Sequence, residues 1–270
     1  MQRRERDLYS PTLFTPVRTR RTFEEAVEQI AEKLKLGELH AGDRLPSERD
    51  LAAQMQISRP TLREAIKVLS ESGVVDVRPG PSGGMFIASE YVPPDLVRTK
   101  SHMRVSEVAG VLEARRMLEP RVAQLAAARA GEADFDAMRR TIEQMRELVA
   151  SGDALRNEDR FLQLDVQFHL AIARASGNAT IASLVRSLFR QLEIARDMAM
   201  HVPLVADWMI DMHERTLAAI ESGDLDAVER VMDEHLGHLE QTWERETGRA
   251  LLRPMPAFLF PGAPAEPDLA

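Results

Sequence analysis

The sequence predicts a mainly α-helical chain of two domains, an N-terminal winged helix-turn-helix with a small β wing and a C-terminal all-α bundle. Three observations carry that reading. The stretch from Gly42 to Lys67 holds two short helix signatures with a tight break between them. Residues 74–87 place two strand-like runs around a stretch of turn chemistry. From Val105 onwards strand signal is almost absent, and Gly and Pro mostly punctuate helical periodicity.

Residues 1–21 are expected to be a disordered extension. Its arginines (Arg3, Arg4, Arg6, Arg18, Arg20, Arg21) are a secondary source of phosphate contacts. Thr22 to Leu36 reads as an amphipathic helix with Phe23, Val27, Ile30 and Leu34 on one side. Ser47 is a helix N-cap, and Asp50 three residues on completes an approximate capping box. Leu51, Ala52 and Met55 form the apolar side of that helix, and Gln56-Ile57-Ser58 breaks it. Ser58 is a second N-cap, with Pro60 in the first turn, where its missing N–H costs little. In the following helix Leu62, Ala65, Ile66 and Leu69 recur at buried spacing, while Arg59, Arg63 and Lys67 fall four apart on a neighbouring flank. A helix packed on one side and basic on the next, held by a preceding helix at a short turn, is the reader of a DNA major groove. Val74 to Val77 and Met85 to Ile87 are strands, and Arg78 to Gly84 between them is a wing tip. The first domain therefore covers 22–90.

Tyr91-Val92-Pro93-Pro94 opens a linker over 91–104, since consecutive prolines forbid helix and lack donors. Helices follow near 105–130 (continuing through Pro120, a candidate kink), 132–151, 157–176, 179–200, 205–222 and 225–247. Six helices with short loops form a bundle over 105–249, and 250–270 is a Pro/Ala-rich tail.

Composition sets limits on function. The 270 residues carry a net charge of −8, which argues against general polyanion binding. Residues 20–90 hold more acids than bases, so DNA binding requires focused placement of Arg49, Arg59, Arg63 and Arg78. Cysteine is absent, which excludes disulfides and thiolate chemistry and suits a reducing cytoplasm. No long apolar run or signal peptide is found, so the expectation is a cytoplasmic protein without a membrane partner.

Histidine occurs only seven times, which makes its positions informative. Phe161, Leu164, Phe168 and Ile172 define an apolar stripe that includes Asp165, with His169 at its edge. His213 shares a stripe with Ile210, Leu217 and Ile220, and His235 sits amid Val228, Val231, Met232 and Leu239. A carboxylate on a core stripe is costly unless paired, protonated or bound to a cation. Three inward imidazoles from three helices can converge on Asp165. One carboxylate with neutral imidazoles suits zinc first, with nickel, cobalt and manganese also compatible. Taken singly, each histidine is better explained as a satisfied core residue.

The order LPSERDLA…SRPTLREAIKVLSESGVV…RPGPSGG resembles the N-terminal reader of GntR-type transcriptional regulators, over about residues 22–88. That resemblance implies a DNA-reading set of Arg49, Ser58, Arg59, Thr61, Arg63, Arg78 and Gly80. Asp165-x3-His169, His213 and His235, with the segment HERTLAAIESGDLDAVERVMDEHL, are similar to the metal-binding pattern of FadR-like members and their FCD effector domain. Glu113 to Glu119 resembles that domain's opening helix, whose arginine in many members meets a carboxylate effector. Arg115 is the matching residue, Arg116 the fallback, and His238 an extra metal candidate. The resemblance implies a homodimer on a near-palindromic double-stranded operator, a repressor more often than an activator, controlled by a small organic acid at the metal. Two rivals are a dimerisation module whose metal site is vacant or purely structural, and a metal-dependent hydrolase. Against the hydrolase, no spare carboxylate is clearly placed as a base.

Overall fold

Turn chemistry shapes the reader. In the computed structural model, α1 (Thr22–Lys35) buries Ala26, Val27, Ile30 and Ala31. Helix α2 (Glu48–Gln54) starts where the Ser47 hydroxyl accepts from the Asp50 amide. The same hydroxyl donates to the Asp50 carboxylate at 2.6 Å. The helix ends with Gln56 in the left-handed region (φ +54°), the Gln56 amide on the Ala53 carbonyl and the Ile57 amide on that of Ala52. This closure is a Schellman motif, and it turns the chain within three residues into the next cap. Ser58 accepts from the Thr61 amide and opens α3 (Arg59–Glu71), with Pro60 in its first turn. Leu62, Ala65, Ile66 and Leu69 are buried, and Arg59, Arg63 and Lys67 are exposed.

Strands β1 (Val75–Arg78) and β2 (Gly84–Ile87) pair antiparallel, with Val75 opposite Ile87 and Arg78 opposite Gly84. Val75, Met85 and Ile87 face the core. At the tip Gly80 has φ +103° and its carbonyl accepts from the Gly83 amide. A Cβ on Gly83 would lie 2.1 Å from the Arg78 carbonyl oxygen, so only glycine fits.

Six further helices follow: α4 (Val105–Arg129), α5 (Glu132–Ala150), α6 (Glu158–Ala175), α7 (Ala179–Ala199), α8 (Ala206–Ser222) and α9 (Leu225–Thr247). Helix α4 runs on through Pro120. Helix α6 is buried over most of its surface after its first turn, with Arg174 exposed and Leu162 and Val166 half-buried between Phe161 and Ala175. Such a helix is expected to be apolar all round, yet α6 also buries Gln163, Asp165, Gln167 and His169. Two of these have plain structural uses. Gln163 donates to the Glu90 carbonyl, and Gln167 to that of Leu34. Asp165 and His169 face α8 and α9 instead.

The structure describes residues 22–80, 83–93, 96, 105–152, 157–199 and 205–248. The expected N-terminal extension, the tail and most of the 91–104 linker lie outside them. The chain divides into two units, residues 1–32 with 41–89 and residues 33–40 with 90–270. The described residues are mainly α-helical with one two-stranded sheet, and none of their helices is long and apolar enough to cross a membrane.

Candidate functional site

The reader's exposed face is organised by an acid. Glu48, first residue of α2, receives Arg59 Nε at 2.8 Å on one oxygen and Arg63 Nε at 2.7 Å on the other. Hydrogen bonds from Arg63, joined by Arg59, together outweigh the opposing effect of burial and hold its carboxyl below the usual range. The two α3 arginines are thus splayed from one anchor. Arg49 pairs with Asp50 at 3.3 Å. Thr61 bonds the Ser58 hydroxyl at 2.7 Å, so both belong to the cap that sets the direction of α3. On the wing, Arg78 pairs with Asp76 at 2.8 Å and lies over the Phe86 ring at 4.5 Å. Arg44, which sequence reasoning did not select, lies over the same ring and donates to the Gly83 carbonyl at 2.7 Å. The two guanidiniums tie the aromatic to the turn.

In the bundle, α6, α8 and α9 bring Asp165, His169, His213 and His235 together, one donor atom from each within 4.8 Å of every other. All four are buried. The imidazole centroids are 4.9–5.7 Å apart and their planes are mutually inclined. Phe168 stacks on His213 at 4.1 Å, and Phe189 lies against His169 at 5.0 Å, so apolar rings wall the cluster. His213 Nε2 is 3.2 Å from Asp165 Oδ1, within ion-pair range but without hydrogen-bond alignment. His169 Nε2 is 3.7 Å from the same oxygen.

Polar satisfaction tests whether a cation suits these residues. His169 Nε2, both His213 nitrogens and His235 Nδ1 are buried without any hydrogen-bond partner. Each such atom costs about 1–3 kcal/mol unless something else engages it. Donors on opposite sides of a transition metal stand about 4–4.4 Å apart at ordinary bond lengths. A tetrahedral ion, with no opposed donors, draws its four to roughly 3.3–3.6 Å of one another, so the observed spread of up to 4.8 Å must contract to hold one. Burial, reinforced by the neighbouring imidazoles, pushes His235 well below its usual pKa. Burial also lowers His213, with Asp165 opposing. Both rings are thereby kept neutral, the form that ligates. The residues fit a divalent metal bound through nitrogen and oxygen.

Behind His169 stands Glu119 of α4. Its Oε2 lies 2.7 Å from His169 Nδ1, and Oε1 accepts from Arg115 Nε. Burial works to raise the Glu119 pKa, but the Arg115 guanidinium and then His169 overcome it and lower it to about 2. His169 is raised, because Glu119 and Asp165 outweigh the effect of burial. Arg115 is itself buried and lies over the Phe189 ring at 4.8 Å. Arg116 points elsewhere, pairing with Glu240 and Asp233 of α9. His238 stacks on Trp208 at 3.9 Å and takes no part in the cluster. Sequence reasoning passed over Glu48 and Glu119. The four-residue spacing from Arg115 to Glu119 on one helix face was the available signal for the second.

The profile of the bacterial regulatory proteins of the gntR family matches residues 22–87, and that of the FCD domain matches residues 110–238. The chain is 32% identical over 236 residues to an Escherichia coli (strain K12) regulatory protein named for the L-lactate dehydrogenase operon, across 84% of this chain and 88% of that one. It belongs to the gntR family. This gntR-family chain is also 29% identical over 234 residues to the Uxu operon transcriptional regulator of the same organism, covering 82% of this chain and 86% of that one. To the HTH-type transcriptional regulator LutR of Bacillus subtilis (strain 168) it is 29% identical over 214 residues, covering 77% and 94%. It is a DNA-binding transcriptional regulator, with a GntR reader and an FCD domain that holds a buried His/Asp cluster.

Proposed function

We propose that this regulator is a cytoplasmic homodimeric repressor whose operator affinity is set by a small organic acid bound at a divalent metal. The observation that carries the metal is the set of buried imidazole nitrogens without partners, contributed by three helices around Asp165. Asp165, His169, His213 and His235 would hold the ion, with zinc the first choice among nickel, cobalt and manganese. The ion supplies positive charge and open positions for a carboxylate. Arg115 is the chain's own contribution to that carboxylate, its guanidinium lying beside the cluster and shared with Glu119. A relative named for the operon of an enzyme acting on L-lactate favours a hydroxy acid as the ligand class. At the other end, Arg49, Arg59, Arg63 and Arg78 meet base edges or phosphates, Ser58 and Thr61 set the helix, and Gly80 lets the wing approach the groove. Two-fold pairing of readers calls for a near-palindromic site in double-stranded DNA. The assignment is regulatory rather than catalytic.

The buried Arg115–Glu119 pair supports a second reading, in which the metal is structural and the arginine is committed to the fold. One experiment separates the two. Metal content is measured on purified protein, an operator is selected from random-sequence DNA, and L-lactate and related acids are titrated against the complex. Acid-dependent release that disappears on metal removal supports the sensor. Bound metal with no acid response leaves the structural reading, and absence of metal under all loading conditions overturns both.

A further inference from the structure

The donor cluster leaves one question of ring chemistry open. A histidine offers either nitrogen to a cation, and the choice is made by whatever holds the other. Among the four proposed ligands, His169 has a carboxylate outside the cluster on its far nitrogen. Glu119 Oε2 lies 2.7 Å from His169 Nδ1, and His169 Nε2, on the cluster side, is buried with no hydrogen-bond partner. His213 Nδ1 and His235 Nδ1 have no hydrogen-bond partner at all. Glu119 is itself fixed, because Arg115 of the same helix donates from Nε to Oε1 and from Nη2 to Oε2 at 3.4 Å, and both side chains are at most 4% exposed.

We infer that Glu119 is the positioning residue of the metal centre. It holds His169 with the proton on Nδ1, so that Nε2 is the nitrogen presented to the cation, and Arg115 anchors Glu119 in that role. The carboxylate touches neither the ion nor an incoming ligand; it acts through the imidazole. A charged acceptor on the far nitrogen also makes the ring a stronger donor. The same side chain is the one that Arg115 must share if an acid binds beside the metal. Anion capture by Arg115 and the hold on His169 are thereby linked through two oxygens of one group.

This inference rests on the metal reading, and the test separates the two. Zinc affinity is measured on the full chain by competition with a chromophoric chelator, for the wild type and for Glu119→Gln, which keeps the side-chain volume. The variant is expected to bind zinc roughly 10–100-fold more weakly, the usual loss for an outer-shell partner. In parallel, long-range proton–nitrogen NMR of the zinc-loaded wild type is expected to show His169 protonated at Nδ1 and bonded through Nε2. Equal zinc affinity in a folded variant overturns the positioning role, as does an Nε2-protonated His169 in the wild type. The second measurement decides the matter even if the variant does not fold. A wild type that binds none of zinc, nickel, cobalt or manganese overturns the metal reading itself.

Discussion

Each unit of this chain holds a carboxylate set between two nitrogen-bearing side chains, Glu48 in one and Glu119 in the other, in opposite surroundings. Glu48 joins Arg59 and Arg63 on the reader's face, with side chains 27%, 56% and 63% exposed. Glu119 joins Arg115 and His169 inside the bundle, with side chains 4%, 3% and 2% exposed. The contact distances are alike, so geometry does not separate the two. Solvent does. In water and salt the Glu48 cluster is screened, and its charges can be exchanged for phosphates at little cost. In the bundle, removal of one member strands a buried charge with nothing to replace its partner. The function proposed above uses both kinds, an exchangeable cluster where DNA would arrive and a fixed one behind the proposed metal donors.

The comparison breaks hardest at Glu119. Glu119→Ala leaves the Arg115 guanidinium buried and uncompensated and is expected to destabilise the unit by about 3–5 kcal/mol, read as a lower urea midpoint. A midpoint within error of wild type would mean that Arg115 finds another partner. His213→Ala should abolish stoichiometric zinc and the thermal shift that zinc produces, while DNA binding by metal-free protein survives. Full metal occupancy in that variant would remove His213 from the ligand set. On the reader, Arg59→Ala or Arg63→Ala should weaken binding to a selected operator roughly tenfold to a hundredfold with the fold intact. Unchanged affinity in both would end the assignment of α3 as the reading helix.

Acid sharpens the contrast. Glu119 titrates at about 2 when folded against an ordinary 4.5, so its contribution to stability is present above about pH 4.5. That contribution is lost as pH falls from there towards 2. Denaturation midpoints between about pH 5 and pH 3 should therefore fall more steeply for the wild type than for Glu119→Gln; parallel curves would contradict the burial argument. The smallest effect belongs to Glu48→Gln. Stability should hardly move, while affinity for random-sequence DNA rises and its salt dependence steepens, because two arginines lose their internal counter-charge. An unaltered salt slope would show that Glu48 does not restrain them.

Local signals were readable in the sequence wherever one residue makes one structural decision. Ser47 and Ser58 cap their helices, Pro60 takes the first turn of α3, and Leu62, Ala65, Ile66 and Leu69 are buried as their spacing predicts. The helical texture after Val105 likewise made the fold class legible, Pro120 included. The periodicity around Asp165, His169, His213 and His235 singled these residues out, and the folded chain brings them within reach of one another. Partner choice was not legible. Glu48 takes hold of residues 11 and 15 positions away, and Glu119 of an imidazole on another helix, and no local pattern encodes which acid meets which base. Arg44 was missed for the same reason, since its use depends on Phe86 and Gly83 across the hairpin.

The donor set around Asp165 contains only nitrogen and oxygen, in a chain that has no cysteine anywhere. Thiolate sites couple metal retention to the redox state of the cell, because oxidation to a disulfide or sulfenate ejects the ion. That route is closed here. With a metal bound as proposed, occupancy of this centre would answer to metal supply and to acidity, and the proposed sensing chemistry would outlast a swing in thiol balance that disarms a cysteine-based site.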